Sequence, residues 1–375
     1  MIKIVFLITS CKKSGPIQQM LNIIKYLDKK TFEPILITIY PEDTAQSQLH
    51  LYTPYVKHIF VPTSKLDVIT GHDISLRHTL NQLKPDIIHS LGVFPDYAVS
   101  RMKKWKQIIT LRNYIYDDYP AKFGKLKGMI LAKLHYYAIK HAKKVVACSK
   151  SLAQIYHDKL GLTYNYVRNG IDLKYYTQAS AIEKQTIRQE MSLPKDAFIF
   201  VYTGQLIERK NIDFLLNSFS QTFKDNPKIY LLVLGGGELY QKLKEKYKQI
   251  KNIDFRGNVM DVHHYLKACD AYISASKSEG LPNGVLEAMA TGLPFILSDI
   301  EQHLEIYNVN PNAGYVFPQN NESKLIQQMN MLMKQNHLNM GEKAYQTVYK
   351  NFNAVHTSKI YQNLYLQLTS APTKQ

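Results

Sequence analysis

What this chain can fold into is constrained most by the spacing of its short apolar runs. Eleven of them recur with amphipathic stretches between: IKIVFLI (2–8), EPILITIY (33–40), HIFVP (58–62), DIIHSL (86–91), QIITL (107–111) and KVVAC (144–148), then FIFVYTG (198–204), IYLLVLGGG (229–237), IDFRG (253–257), AYISAS (271–276) and PFILSD (294–299). Such runs read as strands, and residues 17–27, apolar at Ile17, Met20, Leu21 and Ile24, read as a helix between two of them. Strands alternating with helices imply parallel sheets with right-handed crossovers. Two successive sets imply two Rossmann-like domains, 1–168 and 169–355, parted near residues 168–172, where NGID interrupts the pattern. Residues 356–375 are expected to form a helix that packs back on the first domain and ends in a frayed polar tail.

With 375 residues, 45% of them hydrophobic and 21% charged, the chain has the length and balance of a two-domain globular protein. No apolar run approaches the roughly 18–20 residues of a membrane span. The opening MIKIVFLITSCKK lacks the n-region and cleavage site of a signal peptide. Cys11, Cys148 and Cys269 are odd in number and far apart, which suits a reducing, cytoplasmic compartment. The net charge of +17 is unevenly spread: residues 1–168 carry 25 Lys and Arg against 11 Asp and Glu, the remainder 22 against 19. A basic half attracts nucleic acid, anionic lipid or an acidic polymer, and the sign does not choose among them.

SASKSEGLPNGVLEAMATGLPFILSD (274–299) is the most informative segment. It reads strand, loop, helix, strand, with Glu279, Gly280, Leu281 and Pro282 in the loop, a helix over about 283–290, and Gly292 with Pro294 ending it. A helix starting at Asn283 aims free N–H groups and its positive end at one point, which favours phosphate. Glu287, one turn in, is placed to accept hydrogen bonds from a ribose diol, and Glu279 to reach sugar hydroxyls beyond the phosphates. Two carboxylates alone are more often surface groups; the surrounding Ser-x-x-Glu-Gly, Glu-Ala-Met-Ala and Gly-x-Pro elements reverse that preference. At these residues the sequence resembles the family 4 (group 1) glycosyltransferases, whose Glu-x7-Glu spacing is that of Glu279 and Glu287. The resemblance spans nearly the whole chain. It implies the α/β GT-B fold, two Rossmann-like domains facing across a deep cleft, with the first Glu on the donor sugar and the second on the ribose.

YTGQLIERKNID (202–213) reads as a strand ending at Gly204, a loop, and a helix starting near Asn211. An Arg-Lys pair is usually a solvated face. Here it follows Gly204 as in the family's Gly-Arg-Leu…Glu-Lys pattern, which implies that Lys210 is the phosphate-binding lysine. Gln205 stands where the family has Arg and Arg209 where it has Glu, so Arg209 is expected to supply the missing guanidinium or the site is weaker. The three glycines ending at Gly237 are by themselves only a turn signal. The resemblance places that loop beside the nucleotide, and the backbone near Asn258 and Val259 against the base, most commonly uracil.

In the first half, TSCKKSGPIQQML (9–21) puts Gly15 at the crest of a βα loop, either an ordinary turn or, as the resemblance implies, a loop that contacts the donor. His89 ends a strand, where parallel sheets bind ligands, and is a catalytic candidate, although strand-end histidines are more often structural and Leu91 stands where the family has a second His. TLRNYIYDDYP (110–120) gathers Arg112, Asn113, Tyr116, Asp118 and Tyr119, which suits a carbohydrate acceptor or a solvated loop. Residues 121–144 read as one basic amphipathic helix. Ile130, Leu134, Tyr137 and His141 form one line, and Lys122, Lys133, Lys140 and Lys144 another, so the first domain is expected to dock on the anionic inner face of the cell membrane.

The expected activity is a retaining, metal-independent transfer of a sugar from a nucleotide-sugar, commonly UDP-linked, to a glycan or lipid-linked glycan in bacterial capsule, exopolysaccharide or lipopolysaccharide synthesis. No Asp-x-Asp pair offers the metal ligands of the GT-A class, so Glu279, Lys210 and Arg209 are the catalytic candidates, with no cofactor and no divalent metal. The rivals are a sugar-nucleotide epimerase of the same fold, an NAD-type oxidoreductase, which ITSCKKSG opposes by lacking Gly-x-Gly-x-x-Gly, and a nucleic-acid-binding module, for which no motif is present.

Overall fold

The computed structural model describes residues 1–370; the tail expected to fray lies, beyond Ser370, outside them. The chain forms two compact units, Met1–Gly170 with the segment from Ala354 onward, and Ile171–Asn353. The first is built on a sheet ordered β3-β2-β1-β4-β5-β6-β7, with β1 Ile2–Ile8, β2 Phe32–Thr38, β3 Lys57–Phe60, β4 Ile87–Leu91, β5 Lys106–Leu111, β6 Lys144–Ala147 and β7 Asn165–Tyr166. The second is ordered β10-β9-β8-β11-β12-β13, with β8 Phe198–Thr203, β9 Ile229–Leu234, β10 Ile253–Gly257, β11 Ala271–Ser274, β12 Phe295–Ser298 and β13 Gly314–Phe317. Every pairing is parallel. The two Rossmann-like sheets are those expected, with two strands added. β7 is two exposed residues and β13 is four, both too short to show as apolar runs.

The central strands are buried on both faces, which is why their sequences run apolar without alternation. Along β1, Ile4, Phe6 and Ile8 pack against Met20, Leu21 and Ile24 of the helix Gly15–Lys25 and against Tyr361 and Tyr365. Val5 and Leu7, between them, pack on the other face with Val68, Leu76 and Leu80. The last helix, Ala354–Ser370, is therefore part of the first unit's core. Its Ser358 donates to the Ile23 carbonyl at 2.8 Å, and Lys106 donates to the Leu368 carbonyl at 2.8 Å, a cation at the negative end of a helix.

The single helix expected over 121–144 is two, Ile115–Phe123 and Lys125–His141, with Gly124 at φ +79° between them. An L-residue resists that conformation, so glycine sets the break. Lys122 then lies on the first helix and Lys144 on β6, and the four-lysine face does not form. No helix among the described residues is long and apolar enough to cross a membrane. All three cysteines are buried, and none forms a disulfide.

Candidate active site

Open parallel sheets bind ligands where the strand order reverses and successive loops part. In the second unit that point lies between β8, which pairs with β9 on one side, and β11 on the other. The loop after β8 carries Gly204 and then a single 3-10 turn, Glu208–Lys210; Asn211, left-handed at φ 52°, turns the chain into the helix Ile212–Phe223. The loop after β11 carries Ser276 to Pro282 and runs into the helix Asn283–Ala290, with Pro282 at the N-cap position.

The two loops meet on one carboxylate. Glu279 accepts hydrogen bonds from Lys210 Nζ, from Arg209 Nη1 at 3.0 Å and from Ser276 Oγ at 2.8 Å. Arg209 also donates to the Ser278 carbonyl and accepts, at its own carbonyl, the Lys277 N–H at 2.8 Å. The three charged side chains are 7% (Glu279), 17% (Arg209) and 16% (Lys210) exposed. Burial alone would raise the Glu279 pKa; the Lys210 and Arg209 charges and the Lys210 hydrogen bond outweigh it and hold the carboxyl at about 2. Glu279 is thus an anion with two cations at its side, and the residues assigned separately to sugar and diphosphate form one cluster.

The neighbouring backbone is interlocked. A Cβ on Gly235 would lie 1.9 Å from the Gly204 carbonyl oxygen, so only glycine fits where the β8 and β9 loops cross. Gly236 N–H donates to Asn258 Oδ1 at 2.8 Å, and Gly237 packs against the Leu206 backbone. Asn258, expected to serve through its backbone ahead of Val259, uses its side chain to tie the glycine loop to the end of β10. Gly280 follows Glu279, Leu281 is buried, and Pro282 precedes the helix. That helix also holds Asn283 and the half-buried Glu287, which is hydrogen-bonded by the Tyr176 hydroxyl.

Four residues here escaped the sequence reading: Ser276, Ser298, His303 and Tyr176. Ser298 Oγ donates to the Ser276 carbonyl at 2.6 Å, and His303 Nδ1 lies 3.0 Å from both Ser298 Oγ and the Ser298 carbonyl. Burial lowers the His303 pKa to about 4, against the opposing pull of the Glu279 charge. A tyrosine, two serines and a lone histidine scattered over residues 176–303 carry no spacing signal. Only the fold assembles them.

The first unit treats its candidates differently. His89 is fully buried, with Nδ1 2.7 Å from the Tyr365 hydroxyl and Nε2 2.9 Å from Thr110 Oγ1. Burial, with the Arg112 charge added, pushes its pKa down to about 3. With both nitrogens engaged and no solvent access, His89 is a core residue and not a catalytic one. Tyr119 and Asp118 also turn inward: the Tyr119 hydroxyl lies 2.7 Å from His135 Nδ1, His135 Nε2 lies 2.9 Å from Asp96, and buried Asp118 is paired with Lys122 at 2.8 Å. The Asp118 carboxylate is buried, and Tyr119, although partly exposed, has its hydroxyl engaged by His135. Arg112 donates to Asn169 Oδ1 at 2.7 Å, the Asn113 carbonyl accepts from Tyr156, and half-buried Tyr116 lies against Tyr114 and Tyr136. Gly15 opens its helix behind Ser14, whose Oγ accepts the Ile17 N–H. No group of three or more His, Cys, Asp or Glu among the described residues is placed to share a metal ion.

Two family models match the chain: Glycosyltransferase Family 4 over residues 15–175 and Glycosyl transferases group 1 over 183–349. The chain is 27% identical over 377 residues to the O-antigen biosynthesis glycosyltransferase WclY of Escherichia coli, covering 98% of each. It is 27% identical over 265 residues to a UDP-Gal:alpha-D-GlcNAc-diphosphoundecaprenol alpha-1,3-galactosyltransferase of Escherichia coli, covering 65% of this chain and 67% of that one. Among solved structures, HepE of Anabaena in complex with UDP-glucose superposes with a TM-score of 0.82 at 17% identity, over 98% of this chain and 100% of that one.

Proposed function

The chain belongs to the group 1, family 4 glycosyltransferases, nucleotide-sugar-dependent enzymes of the GT-B fold, and from that premise we propose that it moves a sugar from a UDP-sugar to a lipid-linked glycan, with retention and without a divalent metal, in bacterial surface-polysaccharide assembly. The observation that carries the reading is the Glu279–Arg209–Lys210 cluster at the strand-order reversal, beside the start of the helix Asn283–Ala290. Glu279 holds hydroxyls of the donor sugar, Glu287 the ribose, and the two cations stabilise charge as the diphosphate leaves. The bond from the anomeric carbon to the phosphate oxygen breaks, the acceptor hydroxyl bonds that carbon on the same face, and its proton passes to the departing phosphate. The UDP-glucose bound by HepE and the lipid-diphosphate acceptor of the galactosyltransferase relative support the choice of substrates.

The same reading puts the first unit on the inner membrane face through the corner between its two middle helices. There Phe123, Leu126 and Ile130 are 46%, 80% and 54% exposed, among the exposed Lys122, Lys125, Lys127 and Lys133. Apolar side chains ringed by lysines suit anionic lipid. Incubation with UDP-hexoses and a lipid-diphosphate-linked sugar should release UDP, insensitively to EDTA, with the donor's anomeric configuration kept in the product. Strict dependence on added Mg²⁺ or Mn²⁺, inversion, or turnover of donor without acceptor would overturn the corresponding part. Flotation with phosphatidylglycerol vesicles but not phosphatidylcholine ones tests the membrane contact.

A further inference from the structure

Near Glu279 the protein keeps one buried hydrogen-bond acceptor that has no partner among the described residues. The His303 ring is completely buried. Its Nδ1 lies 3.0 Å from the Ser298 backbone carbonyl, which only accepts, so Nδ1 carries the proton and donates. In the neutral ring that leaves Nε2 as a bare lone pair, and Nε2 has no hydrogen-bond partner among the described residues. The ring is not remote from the chemistry: Glu279 and Lys210 both act on it electrostatically, and Ser298 and Ser276 link it by hydrogen bonds to the Glu279 carboxylate. The other unpartnered buried side-chain atoms of the second unit, on Ser218, Asn252 and Gln328, show no such link to Glu279. A buried acceptor without a donor costs stability and persists where something arrives to satisfy it.

We infer that His303 is a further donor-site residue, whose Nε2 accepts a hydrogen bond from one hydroxyl of the bound sugar while Nδ1 anchors the ring to Ser298. The inference rests on the nucleotide-sugar reading above and adds a determinant of sugar choice. Glu279 and His303 both accept, one as an anion and one as a neutral ring, so a hydroxyl pointing at each is required and a deoxy sugar is refused at the His303 position. A site built to bond a hydroxyl rejects the analogue lacking it far more strongly than an apolar pocket rejects a missing methylene.

Two isosteric variants separate contact from anchoring. His303→Asn keeps an amide donor near the Nδ1 position and removes the Nε2 acceptor; His303→Gln places an amide near Nε2 and loses the Nδ1 donor. Each is compared with wild type by thermal unfolding and by UDP release, using UDP alone, UDP-glucose, UDP-galactose and their monodeoxy analogues. His303→Asn should unfold as wild type does and respond to UDP alone equally, yet lose about 10- to 100-fold in kcat/KM for the best donor. Its discrimination against one particular deoxy analogue should collapse. Wild-type kcat/KM and unchanged discrimination in folded His303→Asn would overturn the inference, as would equal losses with every deoxy analogue. If wild type is stabilised by no sugar nucleotide and releases no UDP, the transferase reading itself fails, an outcome distinct from either.

Discussion

Glu279 and His89 are both buried, one in each unit, Glu279 in the loop after β11 and His89 in the middle of β4, and their surroundings differ completely. His89 is neutral, with a hydroxyl on each nitrogen, sealed by Tyr361 and Tyr365 of the last helix. Glu279 is charged, with two cations and a serine on its carboxylate. Burying a neutral group whose hydrogen bonds are all made leaves nothing for a ligand to do. Burying three charges together is a poor route to stability, because desolvation offsets most of the attraction. The first arrangement builds a core and the second a site. Burial, which the two share, says nothing about which is which; the partners do.

The largest effect should come from removing the Glu279 carboxylate. Glu279→Ala takes the carboxylate away from the largely buried Arg209 and Lys210, a loss on the order of 3–5 kcal/mol where no water enters, and transfer should fall about 10²- to 10³-fold. Glu279→Gln keeps the shape and separates the two consequences. If it transfers at the wild-type rate, the charge is not used. His89→Leu should do the reverse. With the Thr110 and Tyr365 hydroxyls stripped of a partner it should cost about 2–4 kcal/mol in denaturant unfolding, while kcat per folded molecule stays within about twofold.

Acid unfolding distinguishes the same two sites. His89, held down at about 3, is protonated more readily in the unfolded chain than in the folded one. Its contribution is therefore complete above the unfolded value near 6.5 and is lost as pH falls from there toward 3. Glu279, held down at about 2, contributes fully above about 4.5 and loses its share only below that. Between pH 6.5 and 4.5 the histidine acts alone of the two. His89→Leu should flatten that stretch of the stability curve by about 2 kcal/mol, whereas Glu279→Gln should leave its slope unchanged. A His89→Leu curve parallel to wild type there would mean the ring is not sealed in solution.

The strands were legible because parallel strands buried on both faces are short apolar runs, and the helix 283–290 because proline and glycine bracket it. The Glu279–Glu287 spacing was legible as a motif, but its electrostatics were not: Arg209 and Lys210 lie about 70 positions away, and only the reversal of strand order brings the loops together. His89 failed for the same reason. Its partner Tyr365 is 276 residues distant, and no local pattern announces that the last helix returns to the first sheet. The helix break at Gly124 was misread because the lysine and apolar lines continue across it; one glycine at φ +79° outweighed the periodicity.

The smallest effect belongs to a tyrosine, and it refines the contrast. Tyr365 and Tyr176 each give a buried hydroxyl to a polar partner, one to His89 and one to Glu287. If Glu287 holds the ribose, Tyr176 orients a ligand-binding carboxylate, whereas Tyr365 completes a core. Phenylalanine at either position removes one oxygen, about 1 kcal/mol for a single hydrogen bond. At Tyr365 the loss should appear wholly as stability, with donor KM unchanged. At Tyr176 the Glu287 carboxylate loses one of the hydrogen bonds that orient it, so donor KM should rise about fivefold with kcat nearly constant, the signature of weakened ground-state binding. Steady-state kinetics with varied UDP-sugar on the two variants checks this. Equal KM values would reduce Tyr176 to the role of Tyr365.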